Sequence, residues 1–100
     1  MISRYAETEF TSYEDFKKRF TISVPENYNF AYDVVARIAA EDPARMALVW
    51  ADDNGGERTI TFGELDALTN RTANFFASLG IKRGDPVMLI MKGRYEFWYV

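Results

Sequence analysis

The residues of this chain whose types and spacing could do chemistry fall into three short clusters. Asp52, Asp53 and Asn54 precede Gly55 and Gly56, Lys82 and Arg83 precede Gly84 and Asp85, and Asn70, Arg71 and Thr72 spell a glycosylation acceptor. Two acids beside glycines suggest calcium, but the alternating oxygen ligands and closing bidentate glutamate of an EF-hand are missing, so the segment reads as an exposed turn. It reads no better as a phosphate cradle, because the two carboxylates would repel the anion they flank. Arg83, Gly84 and Asp85 share their spelling with a short adhesion tripeptide, and a polar turn ahead of a strand explains the same residues. Asn70 falls inside a predicted helix, where a glycosylation acceptor is not used. The chain has no histidine and no cysteine. That removes the usual general base, the commonest zinc ligands, thiol nucleophiles and disulfides. The residues therefore assign no catalytic, cofactor-binding or metal-ligating side chain.

Charge excludes another class. Twelve basic against fifteen acidic residues give a formal net charge of −3, without the positive excess that binding to a nucleic-acid backbone requires. The residues after Met1 form neither a secretory signal nor an arginine-rich transit segment. No apolar run approaches the roughly twenty residues needed to span a bilayer, and the expected location is the cytoplasm. Hydrophobic residues make up 48 % of the chain and aromatics 16 %, which argues for a packed core and against disorder.

The elements that must position these clusters can be read from punctuation and period. Ser12 with Asp15 resembles a capping box opening a short helix to about Phe20, with Tyr13, Phe16 and Phe20 on one stripe and charge pairs Glu14–Lys18 and Asp15–Arg19 beside it. Pro25 and the polar residues after it mark a connection. Asn29 is the predicted cap of a helix over residues 30–41, with Phe30, Val34, Val35 and Ile38 inward, Asp33 paired to Arg37, and Pro43 enforcing its end. A strand over Met46–Ala51, with Leu48 and Trp50 on one side, and a second over Glu57–Thr61 read as a hairpin around Gly55 and Gly56. Thr61 and Glu64 form a capping pair for a helix running to about Ser78 and stopped at Gly80, with Leu65, Leu68, Thr72, Phe75 and Leu79 on one face. Val87, Met88, Leu89, Ile90 and Met91 read as a strand covered on both faces, followed by the first turn of another helix. Four rings among the last six residues, Tyr95, Phe97, Trp98 and Tyr99, exceed what so small a core absorbs, and imply either a segment of a larger domain or an interaction surface.

Several of these segments, in this order, resemble the amino-terminal part of the adenylate-forming, AMP-binding acyl-CoA synthetases. They are Phe30-Ala31-Tyr32-Asp33-Val34-Val35, Pro43, Ala47-Leu48-Val49-Trp50, Thr61-Phe62-Gly63-Glu64-Leu65, Asn70-Arg71-Thr72-Ala73-Asn74, Leu79-Gly80-Ile81-Lys82-Arg83-Gly84-Asp85 and Val87. Asn29-Phe30 looks most like the acetyl-, butyryl- and medium-chain branch. The resemblance covers residues 28–100 and implies an α/β fold: the amino-terminal portion of the large domain, with a β-hairpin, amphipathic helices and the first buried strand of a larger sheet. It divides the chain into an extension over residues 1–28 and an incomplete AMP-binding domain over residues 29–100.

The implied activity is that of an acid–thiol ligase, which activates a carboxylic acid with ATP and Mg2+ and passes the acyl group to coenzyme A. The family's phosphate loop, ribose-binding Asp and carboxy-terminal lysine are expected beyond residue 100. The matched segments are scaffold, so no catalytic, cofactor-binding or metal residue is carried over, and the 100 residues alone are expected to be inactive. Their expected partners are the remainder of the polypeptide or a homo-oligomer, with no nucleic acid. Two rivals remain: another adenylate-forming enzyme such as an aryl-CoA ligase, and a standalone interaction module built on Phe97, Trp98 and Tyr99.

Overall fold

A computed structural model describes residues 2–100, and it is α/β: helices packed on an antiparallel two-stranded sheet. Ser12 caps α1, Tyr13–Arg19, by accepting the Asp15 N–H at 3.1 Å. The reciprocal bond is displaced by one residue, since the Asp15 carboxylate takes the Thr11 N–H at 3.0 Å. Asp15 also holds Arg19 at 2.9 Å, whereas Glu14 and Lys18 form no ion pair among the described residues. Phe16 stacks on Phe20 with centroids 4.8 Å apart, and Phe10 closes on Phe16 edge-on at 5.1 Å. Tyr13 does not join this stripe; it is exposed, and the third ring packed with Phe16 and Phe20 is Phe10. An isolated bridge between Ala6 and Ile22 ties the two ends of this arm together.

The second helix departs from expectation in its winding. Residues Ala31–Ala36 form a π-helix that continues into α2, Arg37–Glu41. Asn29 does cap this start, accepting the Ala31 N–H at 2.9 Å while its own N–H reaches the Asp33 carboxylate at 2.8 Å. That engagement takes Asp33 away from Arg37, whose Nε lies 4.0 Å from Glu41 instead. Val34, Val35 and Ile38 are buried, but Phe30 is 61 % exposed. Its ring stays beside Val34, at the mouth of an apolar cavity, and is left largely uncovered.

Strands β1, Met46–Ala51, and β2, Glu57–Thr61, pair as expected, with a bulge between Met46 and Leu48. The extra residue breaks strict alternation, so neighbouring Ala47 and Leu48 both pack on the core. Asp52 closes the turn by accepting the Asn54 and Gly56 N–H groups at 2.9 and 2.7 Å, and Gly55 supplies a φ of 81°.

Helix α3, Phe62–Ser78, begins in a complete capping box: the Thr61 hydroxyl accepts from Glu64 N–H, and the Glu64 carboxylate from Thr61 N–H. Such a cap is worth about 1 kcal/mol. Two further bonds, from Phe62 N–H to Arg45 O and from Gly63 N–H to Pro43 O, lash the helix start to the loop before β1. The core gathers Val35, Ile60 and Leu65, with Ala47, Leu48, Phe62, Leu68, Tyr95 and Tyr99 around it.

The distal half of α3 is not covered: Phe75 and Leu79 are 58 % and 60 % exposed. The expected strand is also not formed. Residues 85–91 pair with no strand, and Met88 and Ile90 are 84 % and 85 % exposed. A strand covered on both faces needs a sheet to join and a layer on each side of it, and among the described residues the sheet is the two-stranded hairpin alone, with neither of its outer edges paired to residues 87–91. No helix among the described residues is long and apolar enough to cross a membrane.

Candidate functional site

The densest grouping of polar and aromatic side chains lies where residues 93–99 fold back on the hairpin. Trp50 and Arg58 are cross-strand partners, so the pleat presents them side by side on one face. Trp50 Nε1 donates to Gly93 O at 2.7 Å, and its ring meets Tyr95 edge-on at 5.4 Å. Arg58 donates to the Tyr95 hydroxyl at 2.9 Å while its guanidinium lies 4.5 Å from the ring centre. Arg94 grips the Glu96 carboxylate with two nitrogens, at 3.0 and 2.6 Å.

These bonds make a clasp, and its members satisfy one another. It positions Tyr95 and Tyr99 on the core, which accounts for two of the four terminal rings; Phe97 and Trp98 stay exposed. Burial pushes the Tyr99 hydroxyl above its ordinary range. Nothing in the sequence pairs residues 43 positions apart, as Trp50 and Gly93 are. The only advance signal is the excess of rings after Gly93.

The Glu96 carboxyl is held at about 2, below its ordinary 4.5, chiefly by the hydrogen bond from Arg94. A folded-state value below the unfolded one means that the stabilisation is complete above about 4.5 and is lost as pH falls toward about 2. In a carbon-detected NMR titration Glu96 is expected to be still ionised at pH 3, and Arg94→Gln to return it to the ordinary range. Ordinary titration of Glu96 in the unmodified chain would refute the Arg94–Glu96 pair.

The glycine turns hold anions, and the anions are their own. The Asn54 and Gly56 amides point to the Asp52 carboxylate, and the Lys82 amide donates to Asp85 at 2.7 Å across a turn in which Gly84 takes a φ of 95°. A phosphate would have to displace a tethered carboxylate from each, so neither turn fits a nucleotide. Arg83, Gly84 and Asp85 are accordingly a turn, and Asn70 lies in the middle of α3. Among the described residues no group of three acidic side chains converges as a metal site. An apolar cavity of about 290 Å³ opens between Phe30, Val34, Leu48, Phe62 and Trp98, and no charged side chain lines it. It lacks the polar groups that fix a ligand's orientation.

A family profile described as AMP-binding enzyme matches residues 35–100. The chain belongs to the AMP-binding enzyme family. Within that family it is 35 % identical over 95 residues to the human protein "Acyl-coenzyme A synthetase ACSM3, mitochondrial", an overlap of 89 % of this chain and 16 % of the relative. It is 34 % identical over 91 residues to "Acetyl-coenzyme A synthetase" of Shewanella baltica (strain OS195), covering 90 % of this chain and 14 % of that one. "Acetyl-coenzyme A synthetase 2" of Eremothecium gossypii is 41 % identical over 64 residues, covering 63 % of this chain and 9 % of the relative. The chain thus spans less than one-fifth of the length of these AMP-binding relatives. The matched stretch contains the core, the hairpin, α3 and the clasp.

Proposed function

We propose that these residues are the amino-terminal part of an ATP-dependent acyl-CoA synthetase of the acetyl, butyryl or medium-chain branch. In the proposed reaction a carboxylate oxygen attacks the α-phosphorus of Mg2+-bound ATP, releasing pyrophosphate and leaving an acyl-adenylate. The thiol of coenzyme A then takes the acyl group as AMP departs. Residues 1–28 are an extension and residues 29–100 an incomplete AMP-binding domain. The observation that carries the reading is the unbroken family match over residues 35–100, together with relatives named as acyl- and acetyl-coenzyme A synthetases.

The part played by these residues is architectural. Their glycine turns are closed by Asp52 and Asp85, and no step of the reaction is assigned to them. The proposal keeps the cytoplasmic location expected from the sequence, although the human relative is named as mitochondrial. Purified 100-residue chain, given ATP, Mg2+, coenzyme A and a panel of short and medium carboxylic acids, is expected to yield neither thioester nor pyrophosphate. Clear thioester formation by the pure chain would sink the reading, because catalytic groups would then lie among residues assigned here to scaffold.

A further inference from the structure

Between α1 and Pro25 the chain runs Phe20, Thr21, Ile22, Ser23, Val24, an alternation of apolar and hydroxyl side chains in which every apolar residue is a strand former. Phe20 leaves α1 already extended, with φ −62° and ψ 119°. Ile22 bridges Ala6 antiparallel, and the Ser23 N–H reaches Tyr5 O at 2.7 Å. In an extended chain the N–H and C=O of one residue share an edge, and those of the next residue take the other. Thr21 and Ser23 are therefore turned to the Ala6 limb, and Ile22 and Val24 to the opposite edge, where neither makes a backbone hydrogen bond among the described residues. Pro25, whose missing N–H would interrupt a ladder, falls on the Ala6 side.

This free edge is apolar as well. Ile22 and Val24 are 60 % and 58 % exposed, and Phe20 lies on the same face. Native sheets blunt such an edge with charge, proline or a bulge, and residues 20–24 carry no charge and no proline. The pattern also reads alike in both directions. Laid antiparallel on itself about Ile22, it sets Phe20 against the partner's Val24, Thr21 against the partner's Ser23, and Ile22 against its twin. A two-fold interface requires self-complementarity of this kind. In that register the two Ile22 residues exchange both backbone bonds, and each Val24 N–H meets the partner's Phe20 C=O; the Phe20 N–H is already given to Phe16 O at 2.8 Å.

Charge selects the same arrangement. Arg19 is held by Glu7 and Asp15, whereas Lys18 and Glu26 have no ion pair among the described residues. Lys18 stands two residues before Phe20 and Glu26 two residues after Val24, so the two-fold brings each Lys18 to the end of the segment where the partner's Glu26 lies.

We propose that residues 20–24 are a self-association edge, pairing antiparallel with the same segment of a second copy of this chain about an axis at Ile22. The interface is smaller than the roughly 800 Å² per partner of a standard dimer, so association is weak and rises with protein concentration.

Sedimentation equilibrium of the 100-residue chain over a series of concentrations measures the dimer. Val24→Pro removes a donor that has no bond within the chain and is expected to weaken association by at least about tenfold. Lys18→Glu sets carboxylates against each other at both ends and is expected to weaken it by about tenfold. Adding Glu26→Lys to that variant restores the dimer, whereas Lys92→Glu, the same change of charge at an exposed residue outside the segment, leaves it as it was. The chain has no cysteine, so Ile22→Cys places a single thiol beside the axis, where paired Cα atoms lie about 5.5 Å apart, within disulfide reach. Its oxidation to a linked dimer is expected to be at least about tenfold faster than that of Asp53→Cys. A chain that stays monomeric at every concentration would overturn the proposal, and so would equal cross-linking of the two cysteine variants. A dimer indifferent to Val24→Pro, or one that the Lys18–Glu26 exchange does not rescue, would overturn it too, by assigning the contact to another exposed face.

Discussion

Ile60→Ala is expected to unfold a large share of the molecules at room temperature. Ile60 is 1 % exposed and sits between Val35 and Leu65, so truncation removes its transfer free energy and leaves a void that rigid neighbours cannot fill. Substitutions of this kind cost about 2–5 kcal/mol, against a total of about 5–15 kcal/mol for an ordinary 100-residue domain. Only four other hydrophobic side chains are buried among the described residues, which places this chain at the low end of that range. The cost therefore consumes most of the stability. Urea unfolding followed by tryptophan fluorescence measures it, with the exposed neighbour Thr59→Ala as the control, expected to change stability by less than about 0.5 kcal/mol. If Ile60→Ala unfolds within that margin of the parent, the core has been assigned to the wrong residues.

Gly63→Ala has the second largest expected effect, and two terms of opposite sign compete in it. In a helix interior alanine is favoured over glycine by about 1 kcal/mol. Here the added Cβ would lie 3.0 Å from Pro43 O and 3.1 Å from Pro43 Cβ. The carbonyl is backbone and cannot swing aside, and it already accepts the Gly63 N–H at 3.0 Å. Overpacking of this kind costs about 1–3 kcal/mol, leaving a net loss of up to about 2 kcal/mol. Gly93→Ala is the matched control, since its Cβ would meet nothing within 4 Å. The same unfolding curves serve; a Gly63→Ala variant more stable than the parent would show that the lash between α3 and the loop before β1 is loose.

What could be read in the sequence was what depends on neighbours along the chain. The capping pair of Thr61 and Glu64, the stop at Gly80, the end imposed by Pro43 and both strands of the hairpin are local devices, and all stand as expected. Misreadings came wherever a second party intervened. Asp33 is used by the Asn29 amide and not by Arg37, Phe30 stays beside Val34 but is left uncovered, and the bulge at Ala47 turns two neighbours to one side. The period of α3 reads correctly as a core face, yet period does not say which half of a face this chain itself covers. The run from Val87 to Met91 reads as a strand because its composition is that of one, and composition is silent about where its partners are. No catalytic residue was expected, and the clasp was missed because its bonds join positions that only folding brings together.

The clasp also has a place in time. The hairpin and α3 close contacts between residues near in sequence, which form early and without long loop closure. Trp50 and Arg58 cannot receive Gly93 and Tyr95 until the chain has been synthesised beyond them, and a translating ribosome adds only about 5–20 residues per second. For a few seconds, therefore, the far end of the hairpin's core-side face emerges with an indole and a guanidinium held side by side and no Tyr95 against them. The newborn chain carries its own latch in the next residues to leave the tunnel.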